Sequence, residues 1–193
     1  MEMTNPIIVV FGATGTIGNE LVPQLLKARQ RVRIAARDPA KASGYADAAE
    51  VVRADLSDPA SLTAACAGAR KAFVVSGGEG IGLEPNVFDA AKVAGIEHVV
   101  RVSALEVEFP EVAATPLGQW HLEAERRLRG SGVAWTLLRP SYFSSNTRLP
   151  FIIDPGEGGA LIPTDGKEAP VDPHDIAAVA VAALTNPGHE GET

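Results

Sequence analysis

The chain has 193 residues, 46% of them apolar and 21% charged, a make-up that suits one domain with a sizeable core. Its 17 basic and 24 acidic residues leave a net charge of −7 with no basic block, which argues against nucleic-acid binding. The single Cys66 permits neither an intrachain disulfide nor a zinc cluster. The N-terminus carries no signal peptide, and its apolar run is far shorter than the ~20 residues that cross a bilayer, so a cytoplasmic protein without metal or membrane partner is expected.

Residues 6–11 form an unbroken apolar run that ends in glycine, which reads as a buried strand of a parallel sheet. Gly12-Ala13-Thr14-Gly15-Thr16-Ile17-Gly18 follows, and then a helical spacing of Leu21, Val22, Leu25 and Leu26. Strand, glycine-rich turn and helix together make a place for a phosphate. Gly12 permits the tight turn, Gly15 lets the backbone approach a pyrophosphate, and Gly18 lets the helix lie close to the strand. The helix's free N–H groups and positive end then face the anion, with Thr14, Thr16 and Ile17 in the turn around it.

Residues 31–36 alternate as a second strand and end at Arg37-Asp38-Pro39. A carboxylate at this distance from the glycines would hold the ribose 2′-hydroxyl of NAD. Arg37 stands there instead, and its guanidinium, with Lys41 one helical turn on, suits the 2′-phosphate of NADP. Asp38-Pro39 reads as a helix cap. NADP(H) is therefore expected over NAD(H).

Residues 50–54 read as the third strand, with Asp55 and Leu56 at its carboxyl end where an adenine amino group is met, and Asp58-Pro59 caps the next helix. Residues 71–75 are the fourth strand, and Ser76-Gly77-Gly78-Glu79-Gly80 is expected as a flexible loop over the cofactor side of the sheet. A helix over 85–94 ends at Gly95, residues 97–102 form the fifth strand, and 105–115 read as loop. A helix over 117–129 and a sixth strand over 135–138 complete a doubly wound α/β sheet, a Rossmann fold. Residues 141–170, rich in Gly, Pro and Asp, are expected to cover the crevice as a substrate-side excursion from a single domain spanning 1–193. A last helix opens at Asp172-Pro173 and places Ile176, Val179, Ala180 and Ala183 on one face.

Several pieces resemble one family in order: Gly12 to Gly18, Ala54-Asp55-Leu56-Ser57-Asp58, Glu123-Ala124-Glu125-Arg126, Leu137-Leu138-Arg139-Pro140 and Val171-Asp172-Pro173-His174-Asp175-Ile176-Ala177. They look like the NmrA-like atypical short-chain dehydrogenase/reductases. That group includes NADPH-dependent quinone reductases and isoflavone-reductase-like enzymes, and also NmrA, a regulator that binds dinucleotide without turning it over. The resemblance implies a further strand and a substrate lobe beyond residues 188–191, which this sequence lacks through truncation or natural reduction; the pocket is then open or completed by a second subunit.

The short-chain reductases proper place a tyrosine four residues before a lysine on the helix after the fifth strand. Neither Tyr45 nor Tyr142 has a lysine at that spacing, and the resemblance aligns Leu117 and His121 with the pair. His121 is thus the candidate for binding the nicotinamide ribose or relaying a proton, with Glu125 on the same helical face to orient it; the alternative is a solvated ion pair. Ser103 closes the fifth strand, where its hydroxyl either bonds a substrate carbonyl or satisfies a turn. Pro140, Tyr142 and Phe143 are candidate walls for the nicotinamide, while His98 and His174 read as structural. The expected function is NADPH-dependent reduction of a small quinone or conjugated carbonyl compound. The alternative is a non-catalytic NADP(H) sensor of the NmrA type that acts through a protein partner.

Overall fold

The computed structural model describes residues 5–148 and 169–193. Six strands, β1 (Ile7–Phe11), β2 (Arg31–Ala36), β3 (Glu50–Arg53), β4 (Ala69–Val74), β5 (His98–Val102) and β6 (Ala134–Leu138), form one sheet in the order β3-β2-β1-β4-β5-β6. Every neighbouring pair is parallel. The order reverses direction between β1 and β4, which opens a crevice at the carboxyl ends of those two strands.

Parallel strands need crossover helices, and these cover both faces. On one face α2 (Pro59–Cys66), α3 (Glu84–Ala94) and α5 (Pro116–Arg129) bury Leu62, Val87, Phe88 and Leu128 against Val9, Phe11 and Val99. On the other, α1 (Gly18–Lys27) and α6 (Pro173–Thr185) bury Leu21, Leu25, Ile176 and Ala180 against Ile8, Val10 and Val100. Consecutive residues of β1 point to opposite faces, so five apolar residues in a row serve two cores. Truncating a fully buried leucine such as Leu21 or Leu25 costs about 2–5 kcal/mol in sites of this kind.

Helix ends follow local chemistry. Asp58 accepts from the backbone N–H groups of Ala60 and Ser61 at 3.1 and 3.3 Å, and Asp172 accepts from that of His174 at 2.8 Å. Asp38 caps a short 3-10 turn (Pro39–Tyr45) in the same way, and Gly95 ends α3 at φ 76°.

Three expectations need correction. The stretch 76–80 is not simply a loop, because Gly78–Leu83 winds into a 3-10 turn that leads into α3. The stretch 105–115 contains a 3-10 turn (Leu105–Glu108) and α4 (Pro110–Ala113); Pro110 starts this helix instead of breaking it, since a first-position proline gives up no hydrogen bond. Val179 is 55% exposed, and the buried face of α6 is Ile176, Ala177, Ala180, Ala183 and Leu184. That helix is alanine-rich all round, so its apolar pattern cannot fix which side turns inward. Most of the excursion expected over 141–170 lies outside the described residues.

Candidate functional site

The β1–α1 corner is shaped by two glycines. Gly12 has φ +84°, and a Cβ there would overlap the Val75 carbonyl oxygen. A Cβ on Gly18 would overlap the Gly12 carbonyl and lie 2.5 Å from Ala13 Cα, so the helix can pass this close only as glycine. Ile17, at the head of α1, offers no side-chain cap to the first turn, unlike Asp58 on α2, Thr115 on α5 and Asp172 on α6. This uncapped end opens into a cavity of about 430 Å³ lined by Gly12, Thr14, Gly15, Thr16, Ile17, Ser76, Gly77 and Phe143.

Gly12, Thr14 and Ser76 also line an adjoining cleft of about 390 Å³ that runs over the ends of β1, β2 and β3. Its walls include Arg37, Asp55 and Leu56. Arg37 is exposed. The Ser57 backbone N–H and hydroxyl, at 2.9 and 2.7 Å, hold the Asp55 carboxyl below the usual carboxylate range, and Arg37 and Arg53 add to the effect. Lys41 is exposed on the 3-10 turn after Asp38 and is not among the cleft-lining residues.

Beyond Ser76 the polar groups pair with one another. The Ser76 hydroxyl donates to Glu84 Oε1 at 2.7 Å, and Arg101 Nε donates to Glu84 Oε2 at 2.6 Å. The side chains of Arg101 and Glu84 are 0% and 1% exposed. Burial pushes the Glu84 carboxyl up, while the Arg101 guanidinium and the Ser76 hydroxyl pull it back. Arg101 Nη2 lies 3.1 Å from Nδ1 of His121, a half-buried side chain on α5. Burial first and Arg101 second bring the His121 pKa down to about 4.

Ser103 is only 4% exposed, and its hydroxyl donates to Glu125 Oε1 at 2.6 Å, so its proton is committed inside the fold. Arg139 grips the same carboxylate with a fork, Nε to Oε1 at 2.9 Å and Nη2 to Oε2 at 2.6 Å. Glu125 is therefore neither a solvated ion pair nor a hydrogen-bonded partner of His121; the exposed pair on α5 is Glu123 with Arg126. Phe143 faces the 430 Å³ cavity, whereas Pro140 lines a separate apolar groove with Leu138 and Ile176. Tyr142 is half-buried and its carbonyl accepts from the Val171 N–H at 2.9 Å. His98 donates from Nε2 to the Thr136 hydroxyl, 2.9 Å away, which itself donates to the His189 carbonyl; His174 contacts Glu20 and Gln24 at the head of α6.

An uncapped helix end, a glycine turn that excludes side chains and an arginine at the end of β2 together fit a dinucleotide. A family described as NAD(P)H-binding matches residues 12–187. The chain belongs to this NAD(P)H-binding family. Among similar proteins, the (4-alkanoyl-5-oxo-2,5-dihydrofuran-3-yl)methyl phosphate reductase of Streptomyces griseus is 41% identical over 187 residues, covering 96% of this chain and 65% of the relative. The NADPH complex of the Escherichia coli quinone oxidoreductase QOR2 superposes with a TM-score of 0.81 at 31% identity, over 96% of this chain and 67% of that one. The NADP(H) complex of the Citrobacter sp. triphenylmethane reductase does so with a TM-score of 0.80 at 30% identity, over 97% and 68%. The chain thus spans about two thirds of the length of the relatives it matches. No helix among the described residues is long and apolar enough to cross a membrane.

Sequence reasoning passed over Glu84, Arg101 and Arg139. A signal was there for Arg101: it interrupts an apolar strand at a position buried on both faces, and a charge there needs a partner. Nothing in the spacing of Glu84 identified that partner, which comes from a different crossover 17 residues earlier.

Proposed function

We propose that this chain is an NADPH-dependent oxidoreductase that reduces a small quinone or conjugated carbonyl compound. The observation that carries the reading is the uncapped α1 end opening into a cavity that adjoins a cleft with Arg37 on its wall. Gly12, Thr14, Gly15, Thr16 and Ile17 cradle the diphosphate, Gly15 by letting the backbone come close, since its own N–H donates to the Gly12 carbonyl. Arg37, assisted by Lys41, meets the 2′-phosphate, and Asp55 and Leu56 border the adenine. Ser76, Gly77 and Phe143 flank the nicotinamide half. Pro140 and Tyr142 stand further out, and His121 serves the ribose or the acceptor from α5.

When bound, the dihydronicotinamide supplies a hydride to an electron-poor acceptor. The protein's share is to orient the two rings and exclude water, with solvent giving the accompanying proton. Ser103 contributes indirectly, by fixing Glu125. Acceptors of this kind suit a site without the tyrosine, because a quinone needs little help from a strong acid. The reductases and the oxidoreductase named above support this reading over that of a non-catalytic sensor.

The test is NADPH consumption by the purified chain with a panel of quinones and unsaturated lactones, alongside a direct binding titration. Steady turnover with at least one acceptor is expected. Micromolar NADPH binding without turnover on any acceptor sinks the enzymatic reading.

A further inference from the structure

A polar chain runs from the cofactor cleft into the body of the molecule: Ser76 to Glu84, Glu84 to Arg101, Arg101 to His121. Only its first member lines the cleft. A guanidinium has donors and no acceptor, so the 3.1 Å contact between Arg101 Nη2 and His121 Nδ1 requires that Nδ1 accept. An accepting Nδ1 carries no proton. The ring's proton is then on Nε2, and the imidazole is neutral.

We propose that Arg101, held in place by Glu84, is a positioning residue for His121 that locks its ring as the neutral Nε2–H tautomer. The inference rests on the reductase reading only for its purpose, which is to keep Nε2–H on α5 as a fixed, uncharged hydrogen-bond donor. The cation stands one layer back, on β5, and the residue in front of it donates without charge. His121 consequently steers and does not supply the proton.

The charged groups acting on the ring are Arg101 on β5 and Glu125 on α5; Glu84 on α3 pairs with Arg101 behind it. Arg101 opposes a second positive charge beside it, and burial acts in the same direction. Glu125 favours the imidazolium, but its two oxygens already accept from Ser103 and Arg139. The balance favours the neutral ring.

The experiment is proton–nitrogen NMR of the histidine rings in the whole chain, with the His121 signals assigned by their absence in His121→Gln. The expected result is an unprotonated Nδ1 and a protonated Nε2, with titration at about 4. Arg101→Lys keeps a cation for Glu84 but lacks the second nitrogen that reaches the ring. In this variant the proton should divide between the two nitrogens, because nothing then donates to Nδ1. If Arg101→Lys does not fold, the neutral pair Glu84→Gln/Arg101→Gln is measured instead, with the same expectation. A proton on Nδ1 in the natural protein, an ordinary midpoint, or variants that leave the tautomer unchanged overturn the proposal. Quinone reduction measured in parallel separates the two ideas. The stated tautomer without turnover refutes the reductase reading and keeps the lock, whereas turnover with an ordinary imidazole refutes the lock alone.

Discussion

Two regions at the carboxyl edge of the sheet handle polar groups in opposite ways. At the β1–α1 corner the first turn of α1 has no side-chain cap, and Gly12 and Gly18 let strand, turn and helix pack too closely for any Cβ. At the β5–α5 side Glu84, Ser103 and Glu125 are each less than 5% exposed, and each is bonded to a partner inside the fold. One region leaves its helix end without a side-chain partner; the other pairs its polar side chains within the protein itself. Under the proposed function the first region receives the anion and the second is the framework that holds it in shape.

Breaking the framework should give the largest effect. Arg101→Met strands the Glu84 carboxylate in an apolar interior, and about 3–5 kcal/mol of stability is expected to go, read from urea unfolding. Glu84→Gln/Arg101→Met removes both charges and should recover more than half of that loss. A double variant as unstable as the single one would mean that the framework acts through packing and not through charge. At the receiving corner, Gly12→Val forces a β-branched residue to φ +84° against Val75. A loss of ~1–3 kcal/mol is expected there, together with loss of NADPH binding by calorimetry. Gly44→Ala, where an added Cβ meets nothing within 4 Å, is the matched control and should change stability by less than about 0.5 kcal/mol.

The contrast also explains what was legible in the sequence. The receiving corner is local: strand, glycines and helix follow one another, so Gly12 to Ile17 announce their geometry by spacing alone. The capping aspartates Asp38, Asp58 and Asp172 were equally legible, because each bonds a backbone N–H two residues on. The framework is assembled from separate crossovers. Glu84 meets Arg101 and Ser103 meets Glu125 only because the winding brings α3, β5 and α5 together. Ser103 was expected to bond a substrate carbonyl or satisfy a turn, and Glu125 to orient His121 or sit in a solvated pair, yet each turns to the other; a hydroxyl at a strand end and a carboxylate on a helix give no sign of their tertiary partner. Val179 went astray for a related reason, since a helix of alanines and valines has no polar side to mark the outside.

Arg37 belongs to the receiving region and tests how specific it is. Arg37→Asp is expected to weaken NADPH binding by at least about tenfold, roughly 1.4 kcal/mol, and to leave NADH binding as it was. Equal losses for the two nucleotides would remove Arg37 from the 2′-phosphate and leave the corner reading only one end of the cofactor.

The smallest effect comes from two acids on the same helix, Glu123 and Glu125. Burial pushes the Glu125 carboxyl up, but the bonds from Arg139 and Ser103 together outweigh it and leave it below the usual value. A carboxylate depressed in the folded state stabilises the protein above its unfolded pKa and loses that contribution as pH falls through the folded one. Glu125→Gln should therefore flatten the fall of stability below pH ~4.3. The bond from Arg126 also holds Glu123 low, but that side chain is 50% exposed and open to counterions. In ~1 M salt, where the screening length shrinks to about 3 Å, Glu123→Gln should become indistinguishable from the natural protein. The Glu125→Gln difference should persist, because its carboxylate is closed off by the residues that hold it. If salt erased both differences alike, the framework would be as open to solvent as the corner beside it.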